Sequence, residues 1–314
     1  MLRSIKYIFK TIMILAIVSL FACSKPNVKN DYNFTDSLGN KISLPYKPKK
    51  VAILFSSFAE IWKLSGGDIA VTVGDSVERD FVSNNVILVD ETSGHTNINM
   101  EVLISSNVDF VIGTADYSCQ IEACKKMNSL GVPSALFKVE NFNDYLHMLD
   151  ICTDILDTKD NYQKYGLDIK DKIDQLLQTV TNNHKENILF LRSGSSIRST
   201  KAKNSNDNFA AKMLQELNTF NIADSATNLL DSLSLETIIK ENPKYIFISI
   251  MGDENAVIAH INELFTKDGW KDLDAIKNNN YYFLPKDLFH YKPNNKWYKS
   301  YEYLYSILYG ESNV

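Results

Sequence analysis

Glycine and proline are sparse in this chain, with 12 and 7 among 314 residues, and no low-complexity tract occurs. With hydrophobic residues at 45% and charged residues at 23%, an ordered globular body is expected, and disorder only at the ends. Cysteine is rarer still, at four residues, and none forms a C-x-x-C pair, so spacing alone supports no zinc site. Cys119, Cys124 and Cys152 read as small buried hydrophobes, with a Cys119–Cys124 pairing left open. Positive charge is not in excess: the formal net charge is -5, which argues against a nucleic-acid partner. Catalytic signatures are missing. There is no G-x-S-x-G elbow, no H-E-x-x-H, no G-x-x-x-x-G-K-[ST] and no G-x-G-x-x-G. Arg192-Ser193-Gly194-Ser195 lacks the glycine that an elbow needs before its serine, and five scattered histidines suggest no triad. No cofactor is expected. A surface hydrolase or chelatase-type enzyme remains an alternative only if a nucleophile and a base converge in a cleft.

What is present begins at the N-terminus. Arg3, Lys6 and Lys10 precede an apolar run from Ile12 to Ala22, broken only by Ser19. The run is far shorter than the roughly 20 residues of a membrane span and has the form of an export-signal core. It ends Leu20-Phe21-Ala22-Cys23, which resembles a bacterial lipobox with Cys23 as the lipidated residue; Phe21 stands where a small or β-branched residue is usual. Removing the three basic residues with this segment leaves the remainder more acidic still. Residues 1–23 are therefore read as a lipoprotein signal peptide and the polar residues 24–33 as a flexible tether.

From residue 34 onward, strand and helix patterns alternate. Several strands, such as KPKKVAILF, VDFVIGT and PKYIFISIM, are continuous apolar runs, the mark of a parallel sheet covered on both faces. Residues 34–157 form one such α/β lobe and residues 185–314 a second. Between them, residues 158–184 carry apolar positions at helical spacing with no strand. The expected fold is α/β, with two doubly wound lobes joined by one long helix and a cleft between them.

Four stretches carry a more specific resemblance. FTDSLGNKISLPYKPKKVAIL is a hairpin around Asp-x-x-Gly followed by proline and a buried strand. NINMEVLISSNVDFVIG and SLETIIKENPKYIFIS are Glu-led helices running into strands, the first with Val108 where proline is usual. GWKDLDAIKNNNYYFLP is a late Trp-x-x-Leu segment. In order and spacing these resemble the periplasmic binding proteins of iron-complex, siderophore, haem and cobalamin ABC importers, over about residues 34–310. The resemblance implies a rigid two-lobed monomer that delivers a small-molecule metal chelate or corrinoid to a permease and its ATPase, held to the cell membrane by its lipid.

Loops at the carboxyl ends of the strands would line such a cleft. In the first lobe these hold Phe55, Ser56, Arg79, His95 and Tyr117. In the second they hold Arg192, Arg198, His290, Tyr291 and Lys292. Arginine suits anionic chelate oxygens, and the aromatic and cationic loop around His290 suits a flat or aromatic chelate. His290 and His95 are candidates for direct metal ligation. A free zinc or manganese receptor is the second binding alternative, although the loops offer few ligands beside Asp75, Asp116 and Glu140. Exposed acids near helix starts would dock to permease arginines: Glu60 and Glu216 are the candidates, with Glu101 and Glu236 as comparable positions.

Overall fold

The computed structural model describes residues 32–45, 47–83, 85–90, 97–180 and 185–310. The expected signal peptide, Cys23, nearly all of the tether and His95 lie outside these residues.

The chain enters through an antiparallel hairpin, β1 (Tyr32–Thr35) and β2 (Lys41–Leu44). Its turn is organised by Asp36, only 5% exposed. One carboxylate oxygen accepts from the Leu38 and Asn40 amides at 3.0 and 2.8 Å. The other accepts from the Asn40 side chain at 3.0 Å and from the Leu136 amide at 3.1 Å, which ties the hairpin to the first sheet. Gly39 closes the turn at φ +82°, a conformation that a side chain would disfavour. The Asp-x-x-Gly pattern is thus a docking device. Asp36→Ala is expected to cost about 2–3 kcal/mol, because it strands the buried Leu136 amide, with ligand binding unchanged in the folded fraction. Urea unfolding measures the cost; a shift within error would mean that the hairpin is held by its apolar contacts alone.

The first lobe contains β3 (Val51–Ile53), β4 (Val71–Thr72), β5 (Ile87–Leu88), β6 (Phe110–Thr114) and β7 (Ser134–Phe137). They form a parallel sheet of order β5-β4-β3-β6-β7. Its helices include α1 (Ser56–Leu64), α2 (Met100–Ser105), α3 (Ser118–Ser129) and α4 (Phe142–Leu156), with a short turn of helix at Gly74–Glu78. β3, β6 and β7 are buried at every position, as their unbroken apolar runs require. α4 starts in a capping box between Asn141 and Asp144 and ends at Asp157 in the left-handed region.

The connection to the second lobe is helical but not one straight rod. A short turn, Lys159–Tyr162, passes through a π-helical turn, Gln163–Leu167, into α5 (Asp168–Gln178). Gly166 sits in the π turn against α4. A Cβ there would lie 3.0 Å from Leu146 Cδ2 and 3.2 Å from Leu149 Cδ2, so the close helix contact requires glycine. On α5, Ile169, Ile173 and Leu176 turn inward at helical spacing.

The second lobe has β8 (Glu186–Ser193), β9 (Thr200–Ala202), β10 (Thr219–Asn221), β11 (Tyr245–Ile250) and β12 (Tyr281–Leu284). The order β10-β8-β11-β12 is parallel throughout. β9 doubles back antiparallel on the end of β8, the one departure from the expected parallel pattern. Its helices include α6 (Phe209–Glu216), α7 (Leu235–Glu241), α8 (Glu254–Phe265) and the final α9 (Trp297–Tyr309). One apolar cluster runs through both lobes, from Phe58, Phe110 and Tyr145 through Ile173 to Phe209, Phe247 and Trp297. Each sheet also has its own outer core. The lobes are therefore fused along one side and open along the other. Among the described residues, no helix is long and apolar enough to cross a membrane.

Candidate functional site

The carboxyl ends of both central strands point into one cavity of about 560 Å³ between the lobes. In the first lobe the chain leaving β3 supplies Phe55, Ser56 and Ser57, and that leaving β6 supplies Asp116 and Tyr117. In the second, Arg192 stands at the end of β8, paired in register with Ser249 of β11. Phe289 ends the short helix after β12, and His290, Tyr291 and Lys292 follow it. The structure thus brings together Phe55, Ser56, Tyr117, Arg192, His290, Tyr291 and Lys292.

Arg192 and Lys292 have no ion-pair partner among the described residues. Lys292 lies over the Phe209 ring, 5.4 Å from its centroid. Burial holds its ammonium below the usual lysine range, an effect that nearby Asp116 and Glu140 oppose and Arg192 reinforces. The unfolded chain therefore binds this proton more firmly than the folded one. Lys292's contribution to stability is least favourable below its lowered folded pKa and improves as pH rises toward 10.5, while anion binding needs the protonated form. Lys292→Met is expected to raise stability at neutral pH by about 1 kcal/mol and to weaken chelate binding about tenfold. Urea unfolding and titration calorimetry read the two effects; lost stability with intact binding would make Lys292 a structural residue.

Burial lowers the pKa of His290, as do the neighbouring Lys286 and Arg192 cations. Its Nδ1 is buried without a hydrogen-bond partner among the described residues. Burial also raises the Tyr117 and Tyr291 phenols, keeping both as neutral donors.

Other expected residues fall elsewhere. Arg79 does not line the cavity. It forms an ion pair with Glu60 and lies under Tyr291, its guanidinium carbon 4.5 Å from the ring centroid. Glu60 also accepts from the Asn294 side chain at 2.8 Å, while the same amide donates to Ser57 O at 2.9 Å. Glu60 is thus an internal link between the lobes and not the outward docking acid its helix position suggested. Nothing local in the sequence reveals this, because Arg79 and Asn294 reach it from distant loops. Arg198 is exposed and outside the cavity lining. Glu216 is exposed but accepts a hydrogen bond from Tyr301. Cys119, Cys124 and Cys152 form no disulfide with one another, and burial pushes the Cys124 thiol up to about 12.

The cavity also includes Glu78, Asp207, Asn208 and Phe209, which sequence reasoning passed over. Asn208 caps α6, its side chain accepting from the Ala210 amide at 2.9 Å. β9 returns the chain toward the cleft and so delivers this helix start to the wall. The Asn-Phe helix onset was a readable cap; the reversal that aims it was not. Among the described residues, no group of three or more His, Cys, Asp or Glu side chains forms a metal site.

The chain belongs to the periplasmic binding protein family, whose pattern matches residues 51–288. It is a solute-binding protein of the ABC-importer type, of the class whose lobes are joined by a single helical connection. Two Bacillus subtilis (strain 168) proteins are similar at 23% identity, each match covering 88% of this chain and 88% of the relative. They are the ABC transporter substrate-binding lipoprotein YvrC and the Fe(3+)-citrate-binding protein YfmC. The fold is also that of the siderophore-binding protein BauB, solved with ferric iron and two molecules of acinetobactin. That match has a TM-score of 0.72 and 14% identity, and covers 90% of this chain and 100% of BauB.

Proposed function

We propose that this chain is a lipid-anchored, extracytoplasmic receptor that captures an iron chelate or corrinoid and passes it to an ABC permease. The observation that carries the reading is the Arg192 and Lys292 pair, two cations without ion-pair partners among the described residues, in an aromatic-lined cavity large enough for a chelate. Such a pair suits anionic chelate oxygens. The lipoprotein relative supports anchoring at Cys23, and the Fe(3+)-citrate and siderophore relatives support a ferric ligand. A free-metal receptor would want converging ligands that the described residues do not gather.

Delivery calls for a surface that matches a two-fold permease. Glu101 and Glu236 fit better than Glu60 and Glu216. Each is exposed in the first turn of a side-chain-capped helix, α2 or α7, and each helix leads into the strand beside the first central strand of its lobe. The two carboxylates are thus related by the pseudo-symmetry of the lobes.

The test is tryptophan fluorescence of the purified protein titrated with ferric hydroxamate and citrate chelates, haem, cobalamin, Zn²⁺ and Mn²⁺. Saturable quenching by one complex at sub-micromolar concentration is expected. Response to a free metal alone would move the chain to the metal-receptor class. No response to any probe would overturn the receptor reading.

A further inference from the structure

Resting on the receptor reading, we infer that the chain docks through a paired apolar footprint, Ile104 on the first lobe and Ile239 on the second. The partner is a two-fold membrane permease whose two copies each offer an apolar pocket beside a cationic side chain. Glu101 and Glu236 supply the ionic part of the contact. The isoleucines add an attraction that salt does not screen.

The footprint emerges when the helix–strand units of the two lobes are set in register. Asn99-Met100-Glu101-Val102-Leu103-Ile104 corresponds to Ser234-Leu235-Glu236-Thr237-Ile238-Ile239. Each unit starts with a side-chain cap. Asn99 accepts from the Val102 amide at 3.1 Å, and Ser234 from the Thr237 amide at 3.4 Å. Each turns toward its strand on an asparagine in the left-handed region, Asn107 at φ +48° and Asn242 at φ +39°. Burial repeats in the same register: Leu103 and Ile238 are fully buried, whereas Ile104 and Ile239 are 41% and 47% exposed.

A single exposed isoleucine is ordinary on a protein surface. Recurrence at one step of a unit present in both lobes is not, because neighbouring positions have diverged: Val102 corresponds to Thr237, and Ser105 to Lys240. Helix stability does not call for isoleucine there, since it forms helix less readily than alanine, lysine or glutamate. Each isoleucine lies three residues after its glutamate and so shares a helix face with it. One turn earlier on that face, Met100 and Leu235 are half-buried, which widens each apolar spot. Among the described residues, neither glutamate has an ion-pair partner. Two acids call for two cations, and two like spots related by the pseudo-symmetry of the lobes fit two like copies of one partner. Neither isoleucine lines the solute cavity, so docking and solute binding are separable.

The experiment is photo-crosslinking in cells of the native host, with p-benzoylphenylalanine in place of Ile104 or Ile239 of the full chain. Leu130 and Ile197, each 50% exposed, serve as control positions. Both test positions are expected to capture one and the same membrane-spanning permease subunit, identified by mass spectrometry, and the controls to capture none of it. With that permease and its ATPase in lipid nanodiscs, Ile104→Ser and Ile239→Ser are each expected to weaken docking about tenfold, as the loss of one buried isoleucine predicts. Thermal unfolding checks that both variants are folded, and solute affinity in the fluorescence panel is expected to be unchanged. Capture from one lobe alone, capture of a second copy of this chain, no capture, or full docking by both serine variants overturns the paired footprint and leaves the receptor reading intact. That reading fails separately, if the wild-type chain answers no solute in the panel.

Discussion

Alanine in place of Arg192 is expected to weaken chelate binding about a hundredfold while leaving the protein folded. The size follows from the roughly 1.5–3 kcal/mol typical of hydrogen bonds to charged groups, doubled in part where a guanidinium makes two at once. The selectivity follows from where Arg192 stands. It ends the central strand β8, its backbone is held on both sides by β11 and β9, and its side chain reaches into the cavity. No carboxylate among the described residues pairs with it, so removing it strands no buried partner. Its electrostatic reach is seen on its neighbours: it lowers the Tyr117 phenol, working against burial, and it lowers the His290 imidazole. Calorimetric titration beside thermal unfolding separates the two effects. Lost binding with an unchanged midpoint fits a ligand contact. A large drop in the midpoint would mean that Arg192 is structural.

Trp297→Ala is expected to cost about 3–5 kcal/mol of stability, the range for deleting a large aromatic from a packed interior. Trp297 is fully buried at the start of α9. Its ring meets Phe142 and Tyr145 of the first lobe at centroid distances of 5.8 and 6.5 Å, and Phe209 of the second at 5.7 Å. The cavity left behind would loosen the fused side of the molecule, so chelate affinity should fall with stability. Trp297→Phe gives the contrast. The indole Nε1 is buried with no hydrogen-bond partner among the described residues, so its loss removes no bond to them. Phenylalanine should recover all but about 1.5 kcal/mol, as volume-near apolar exchanges do. Urea midpoints of both variants decide the matter. A phenylalanine variant as unstable as the alanine one would show that the indole N–H has a partner, such as buried water.

The lobes were legible because their central strands are buried on both faces. The runs ending at Leu54, Thr114 and Ile250 hold no charged position, their polar residues Thr114 and Ser249 are buried, and the loops after them gave most of the cavity. Edge strands were less legible. NVILVD, the β5 edge, keeps only two residues of ladder, Ile87–Leu88, and AVTVG beside it keeps two, Val71–Thr72, because the short edge strand pairs with little more. β9 was hidden for another reason. Thr200-Lys201-Ala202 follows a serine-rich stretch and reads as loop, and only its pairing on β8 makes it a strand. The misplaced docking acid has the same origin. Helix position made Glu60 look outward, but the Arg79 and Asn294 side chains that engage it come from 19 and 234 residues away. Periodicity reports which face of an element is buried and not which distant loop covers it.

The most direct measurement of the central claim is anomalous diffraction at the iron edge from crystals grown with the tightest-binding ferric complex of the titration panel. The iron is expected between the lobes, with chelate oxygens toward Arg192 and Lys292 and the metal bound through its chelator. Iron held by protein side chains alone, or a chelate bound outside this cleft, would contradict it.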